Sequence, residues 1–190
     1  MVADWSGRGI ALAGFMGVGK SSLGRRLAAL VDRPFYDSDS LIVDRMGMSI
    51  QAMFDLGEER RFRELERDVI AELCQMKPPA VVALGGGALN DDATLQLLLD
   101  TSLLVHIHLS WEHFETLIPR LRRGRPLLAS ASLQEIHELY VARESRYRSC
   151  HLTVELRREG VRKSAGMLCD ALLPYGIARV DRATTAGQLP

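Results

Sequence analysis

The sequence predicts one doubly wound α/β domain, with helices on both faces of a parallel sheet, and three observations predict it. Short apolar runs alternate with stretches of helical period along almost the whole chain. Runs such as Ala80-Val-Val-Ala-Leu84 are apolar at every residue rather than at alternate ones, which suits strands covered on both faces. The first run also passes through a glycine-rich turn directly into a helical stretch, the strand–turn–helix unit from which such sheets are wound.

In chain order the strands are read at Gly9–Gly14, Pro34–Asp37, Ala80–Leu84, Leu103–Leu109 and His151–Leu156. Helical period runs over Lys20–Val31, Glu58–Met76, Asp91–Leu99, Trp111–Arg122, Ser132–Arg148 and Gly160–Leu172. Strand followed by helix each time implies parallel neighbours and right-handed crossovers. After Pro174 no period is visible, so 175–190 reads as a tail that frays, and 1–174 as one domain without repeat or linker.

Composition narrows the function. In 190 residues, 24 Lys plus Arg balance 24 Asp plus Glu, which argues against a protein that coats nucleic acid or an anionic membrane. No apolar run approaches the ~18 residues of a membrane span, and the N-terminus lacks the apolar core of a signal peptide. Cys74, Cys150 and Cys169 are an odd, widely spaced set, which suits the reduced thiols of a cytoplasmic protein better than a disulfide framework.

The most specific motif follows the first strand. Gly14-Phe-Met-Gly-Val-Gly-Lys-Ser21 fits G-x-x-x-x-G-K-[ST]. Glycines there let backbone amides turn inward around a phosphate, and the next helix adds the positive end of its dipole. Gly17, Val18, Gly19, Lys20, Ser21 and Ser22 are therefore the candidate nucleotide-binding residues, with Lys20 reaching the β- and γ-phosphates and the Ser21 hydroxyl ligating Mg²⁺. In Phe35-Tyr-Asp-Ser-Asp-Ser-Leu41, two aspartates at the end of a strand would share one face. Asp37 is placed near that metal, and Asp39, farther from the loop, near an acceptor hydroxyl whose proton must be accepted. The plainer alternative is an Asx turn or a helix N-cap, which the same residues favour.

Four later segments complete the candidate site. Arg63 and Glu66 are spaced i,i+3, so the carboxylate could hold the guanidinium, although most such charged runs are solvated helix faces. Gly85, Gly86 and Gly87 end the third strand, where many P-loop proteins carry an aspartate, and permit close backbone approach by a ligand or simply a tight turn. Arg120–Leu128 packs four arginines before Leu127 and Leu128, as a lid over phosphates would. Arg143 lies four residues before Tyr147, and two separated arginines beside glycine amides suit a small acceptor bearing a carboxylate. His106 and His108 alternate on a strand, and a metal pair is conceivable, but no Cys or carboxylate nearby completes a metal set, so they read as core or packing histidines.

Taken in order, GFMGVGKSS, DSD, GE-x3-FR-x2-E, LGGGA, RPLL and R-x3-Y resemble the shikimate kinase family from about Ile10 to Leu173. The resemblance implies ATP-dependent phosphorylation of the 3-hydroxyl of shikimate, in the biosynthesis of chorismate and the aromatic amino acids. It implies a three-layer α/β/α P-loop fold with a five-stranded parallel sheet of order 2-3-1-4-5, a substrate-binding helical region at about 38–66 and a lid at about 115–128. Ser21 and Asp37 match the positions at Mg²⁺, and Asp39 the catalytic, substrate-binding carboxylate. Arg63, Gly85, Gly86, Gly87 and Arg143 match those that grip shikimate, and Phe54 and Phe62 its aromatic wall. Arg125 matches the lid arginine that reaches the transferring phosphate, completing a catalytic set with Lys20 and Asp39. Arg120 matches the arginine against adenine, and Arg158 is a further adenine contact, in a Glu155-Leu-Arg-Arg158 stretch that replaces a more usual Asp-Thr pair. A cytoplasmic monomer with no nucleic-acid or membrane partner is expected. The alternatives are the same chemistry on gluconate or a nucleoside monophosphate, and a regulatory domain that binds without turnover; the presence of Lys20, Asp37 and Asp39 speaks against the latter.

Overall fold

The structure, a computed structural model, describes residues 3–122, 128, 131–156 and 160–180. The readings at Arg125 and Arg158, and much of the later part of the expected lid, fall outside them.

Five parallel strands form one sheet of order β2–β3–β1–β4–β5: β1 (Gly9–Ala13), β2 (Phe35–Asp37), β3 (Val81–Ala83), β4 (Ser102–His108) and β5 (Leu152–Glu155). β1 is central, with Ile10 opposite Val81 on one side and Leu103 on the other. The runs of consecutive apolar residues are explained by this position: Ile10–Ala13, Val81–Ala83 and Leu103–Ile107 are buried throughout.

Around the sheet lie α1 (Lys20–Leu30), α2 (Ser38–Met46), α3 (Ile50–Asp55), α4 (Glu59–Cys74), α5 (Asp92–Thr101), α6 (Trp111–Glu115), α7 (Ile118–Leu121), α8 (Leu133–Tyr147) and α9 (Val161–Leu172). α1 packs against α9, and α4 against α2 and α5, so the sheet is enclosed by two helical layers. Local chemistry sets several helix starts. Ser132 and Glu135 form a reciprocal capping box at α8, and the Asp91 carboxylate accepts from Thr94 N at 3.1 Å at α5.

Three readings change. The helix expected over Trp111–Arg122 is two helices, because Pro119 lacks an amide and its ring would meet the carbonyl of Glu115, where α6 ends. α2 and α3 were not visible as periodic segments: they span 9 and 6 residues, too few for a period, and are delimited by caps at Asp37 and Ser49 and by Gly47, with φ 64°. The chain beyond Pro174 is held as far as Val180, where Tyr175 O accepts from Trp5 N at 2.9 Å, Ile177 is buried, and Val180 N donates to Leu30 O at 2.8 Å.

The carboxyl ends of β1, β2 and β3, three neighbouring strands, lead into Gly14, Ser38 and Leu84–Gly85. In open α/β sheets, ligands bind outside these ends, where strand order reverses. β1, with β3 and β4 on its two sides, is that point here.

Candidate functional site

The phosphate loop is built by backbone conformations that side chains oppose. Gly14 has φ 147°, and a methyl group there would lie 2.5 Å from Ile107 O on the neighbouring strand, so glycine alone allows the chain to leave β1 this way. Gly19, φ 98°, then turns the chain into α1. That helix has no side-chain cap and no acidic residue in its first turn, so its amino end remains open to an anion. Lys20 is buried, and its ammonium lies across the loop, donating to Gly14 O at 2.7 Å and Phe15 O at 3.0 Å. Val18 packs into the core, which leaves only its backbone for a ligand, while Ser22 is exposed.

The two aspartates are presented differently from the strand-end geometry expected. β2 stops at Asp37, and Ser38 opens α2, so strand alternation does not set their directions. Asp37 is the N-cap of α2, and its two oxygens have two partners: Oδ1 accepts from Ser40 N at 3.2 Å and Oδ2 from the Ser21 hydroxyl at 2.5 Å. The cap reading and the site reading are both true of this one side chain. Asp39, in the first turn of α2, faces the same cleft of about 270 Å³, which Lys20, Ser21, Asp37 and Gly86 also line. Ser38, which looks like a spacer in the sequence, is fully buried, and its Oγ accepts from Gly85 N at 2.9 Å, locking the glycine turn to α2.

That turn is where the acceptor residues meet. A methyl group on Gly85 would lie 2.5 Å from Asp39 Oδ1 and 2.9 Å from Glu66 Oε1; one on Gly86 would lie 3.0 Å from an Arg143 nitrogen, and one on Gly87 3.1 Å from an Arg63 nitrogen. Arg63 donates to Glu66 Oε2 at 2.7 Å and lies over the rings of Phe54 and Phe62, 5.9 and 5.0 Å from their centroids. With Phe62 and Glu66 buried, this stretch of α4 is no solvated face. Burial raises the pKa of Glu66, Arg63 opposes the shift, and the nearby Asp39 charge adds to it. Arg143 lies over Phe15 at 5.5 Å, burial lowers its pKa, and its Nε is buried without a hydrogen-bond partner among the described residues. α8 is held in place for this by Tyr140, whose hydroxyl donates to Leu109 O at 2.9 Å, and by Tyr147, which donates to Gly86 O at 2.8 Å.

Gly85→Ala is expected to push Asp39 and Glu66 aside and lower kcat/KM for the acceptor roughly tenfold, since sub-ångström misplacement of reacting groups is costly; unchanged steady-state kinetics would show that the turn has slack. Glu66→Gln keeps an acceptor for Arg63 but removes a buried charge. Because the folded pKa is raised, the native protein binds more protons than the unfolded chain from the ordinary 4.5 upward, and this group's contribution to stability falls as pH rises through that window. The Tm of Glu66→Gln should therefore gain on that of the parent as pH rises from 4.5 toward neutrality in paired melts.

Arg120 is exposed on α7 and does not line the cleft; its neighbour Leu121 does, packed against Gly17. Arg122 is also exposed and donates to Ala131 O at 2.8 Å. The reading of His106 and His108 is corrected: a carboxylate does accompany them. Glu144 of α8 brings Oε1 to 3.5 Å from His106 Nε2 and 3.4 Å from His108 Nδ1. Its sequence distance, on another element, hid it. Burial, with His108 and the Lys20 charge adding to it, pushes the pKa of His106 down to about 4, so the ring is neutral at neutral pH.

A G-x-x-x-x-G-K-S loop at the central strand, a hydroxyl–carboxylate pair beside it and a cationic acceptor turn across one cleft define a P-loop kinase of small molecules. The family model for shikimate kinase matches residues 16–172. The chain is 34% identical over 163 residues to a shikimate kinase of Oceanobacillus iheyensis, covering 86% of this chain and 88% of the relative. It is 36% identical over 170 residues to one of Burkholderia thailandensis, covering 88% and 91%. Among solved structures, shikimate kinase from Acinetobacter baumannii in complex with shikimate superposes with a TM-score of 0.76 at 30% identity, over 88% of this chain and 93% of that one. The chain belongs to the shikimate kinase family, whose phosphate donor is ATP. Among the described residues no helix is long and apolar enough to cross a membrane.

Proposed function

We propose that the cleft transfers the γ-phosphoryl group of ATP to the 3-hydroxyl of shikimate, with the roles divided across Asp39. On one side the loop from Gly17 to Ser22 receives the phosphates, Lys20 meeting the β- and γ-oxygens. Ser21 and Asp37 fit Mg²⁺: their oxygens lie 2.5 Å apart in the cleft, the hard oxygen donors this ion takes. Mg²⁺, when bound, neutralises charge on the transferring phosphoryl group. On the other side Arg63 and Arg143, with the amides of Gly86 and Gly87, hold the substrate carboxylate, Gly85 gives it close approach to the backbone, and Phe54 and Phe62 line its pocket. Asp39 accepts or orients the proton of the attacking hydroxyl. Arg125 follows the phosphoryl group, and Arg120 and Arg158 serve adenine; these three roles rest on the resemblance in sequence. The lid, on the same resemblance, is about 115–128. The three cysteines are free thiols, in keeping with a cytoplasmic enzyme, and a monomer is the expected state.

The observation that carries this reading is the convergence of two guanidinium groups on one glycine turn beside Asp39, with the buried Arg143 Nε still able to donate. Such a turn calls for a small anion, and a carboxylate matches a guanidinium in a bidentate way. The test is NMR of the product from shikimate and ATP. Phosphorus coupled to the proton at carbon 3 is expected; phosphate at another hydroxyl would reject the placement of Asp39.

A further inference from the structure

We propose that His106, His108 and Glu144 form a binding site for one divalent transition-metal ion of the Zn²⁺ class, distinct from the Ser21–Asp37 pair. The three donors come from two elements, β4 and α8, and their ligand atoms all lie within 4.8 Å of one another. The Glu144 oxygen is 3.5 and 3.4 Å from the two imidazole nitrogens. These separations exceed good hydrogen bonds. They match the ~3.3 Å between two ligands of one tetrahedral ion with bonds of ~2.0–2.1 Å.

The donor types choose the ion. Two imidazoles and one carboxylate, with a position left for water, suit Zn²⁺ or Co²⁺. Mg²⁺ prefers an all-oxygen shell, so the ion proposed at Ser21 and Asp37 would not compete well here. The frame around the site is firm. His106 is stacked on Tyr147 at 4.8 Å, and Tyr147 in turn donates to Gly86 O. The His106 side chain is 3% exposed and that of His108 25%, so an ion enters past His108 and ends against a buried ligand. Once bound, it clamps α8 to β4 at the residue next to Arg143, a structural role that raises stability by linkage.

The experiment uses tag-free, metal-free protein without nucleotide, titrated with Co²⁺ and followed by visible absorption and thermal melting. One equivalent is expected, with the intense bands of four-coordinate Co²⁺, reversal by Zn²⁺ and a higher Tm. His108→Ala and Glu144→Gln should each weaken binding by at least about tenfold and remove the rise in Tm, ligand loss exceeding the ~10-fold floor for outer-shell changes. Asp37→Asn should leave it intact. No uptake at micromolar Co²⁺, uptake lost in Asp37→Asn but kept in His108→Ala, or thiolate charge-transfer bands pointing to a cysteine would each overturn the proposal.

Discussion

Replacing Asp39 with Asn is expected to lower kcat about 1,000-fold, as loss of a positioned general base does, while ATP affinity stays within a factor of about two. The shape of the side chain is kept, so the turn at Gly85 should not collapse onto it. What is lost is the ability to accept a proton from a hydroxyl held beside it. The substitution leaves in place the bonds of Lys20 to Gly14 O and Phe15 O, and those of Asp37 to Ser21 and Ser40. Single-turnover kinetics together with calorimetric ATP binding separate the two effects. Equal losses in both would make Asp39 part of the nucleotide site.

Arg143→Ala is expected to raise KM for shikimate about 100-fold, the scale of a charge-assisted contact worth ~2–3 kcal/mol, with KM for ATP little changed. Arg143→Lys should recover only a small part, because an ammonium cannot reproduce a bidentate fork. The effect should be larger than that of Arg63→Ala. Arg63 is one-third exposed and already engaged by Glu66, so its field is partly screened and partly answered. Arg143 is deeper, and its Nε has no partner among the described residues. If Arg143→Ala leaves KM for shikimate unchanged, the carboxylate is held elsewhere.

Most of the sheet was legible because the inner strands β1, β3 and β4 carry long, mainly apolar runs, a consequence of burial on both faces, whereas the edge strands β2 and β5 are only partly buried. The strands read at Ala80–Leu84 and Leu103–Leu109 differ from those observed only at their ends. The phosphate loop was legible for a similar reason: Gly14 and Gly19 occupy backbone geometries that other residues resist, so the constraint is written in residue type. Legibility failed where geometry depends on something distant. The sequence offers no sign that Ser38 holds the turn at Gly85, since that bond joins residues 47 positions apart. Glu144 reaches His106 and His108 only because α8 packs near the end of β4. The direction of Asp39 was reached from the wrong premise: a strand end was assumed, whereas a helix begins between the two aspartates.

The most direct measurement is ADP release from Mg²⁺ and ATP by the purified protein, with shikimate, gluconate and AMP supplied in separate reactions. Release is predicted with shikimate and not above background with the other two, because the turn at Gly85–Gly87 joins both arginines to Asp39 around a compact carboxylate that bears a nearby hydroxyl. Release with gluconate or AMP but not with shikimate would contradict the acceptor pocket, and silence with all three while ATP still binds would contradict catalysis itself.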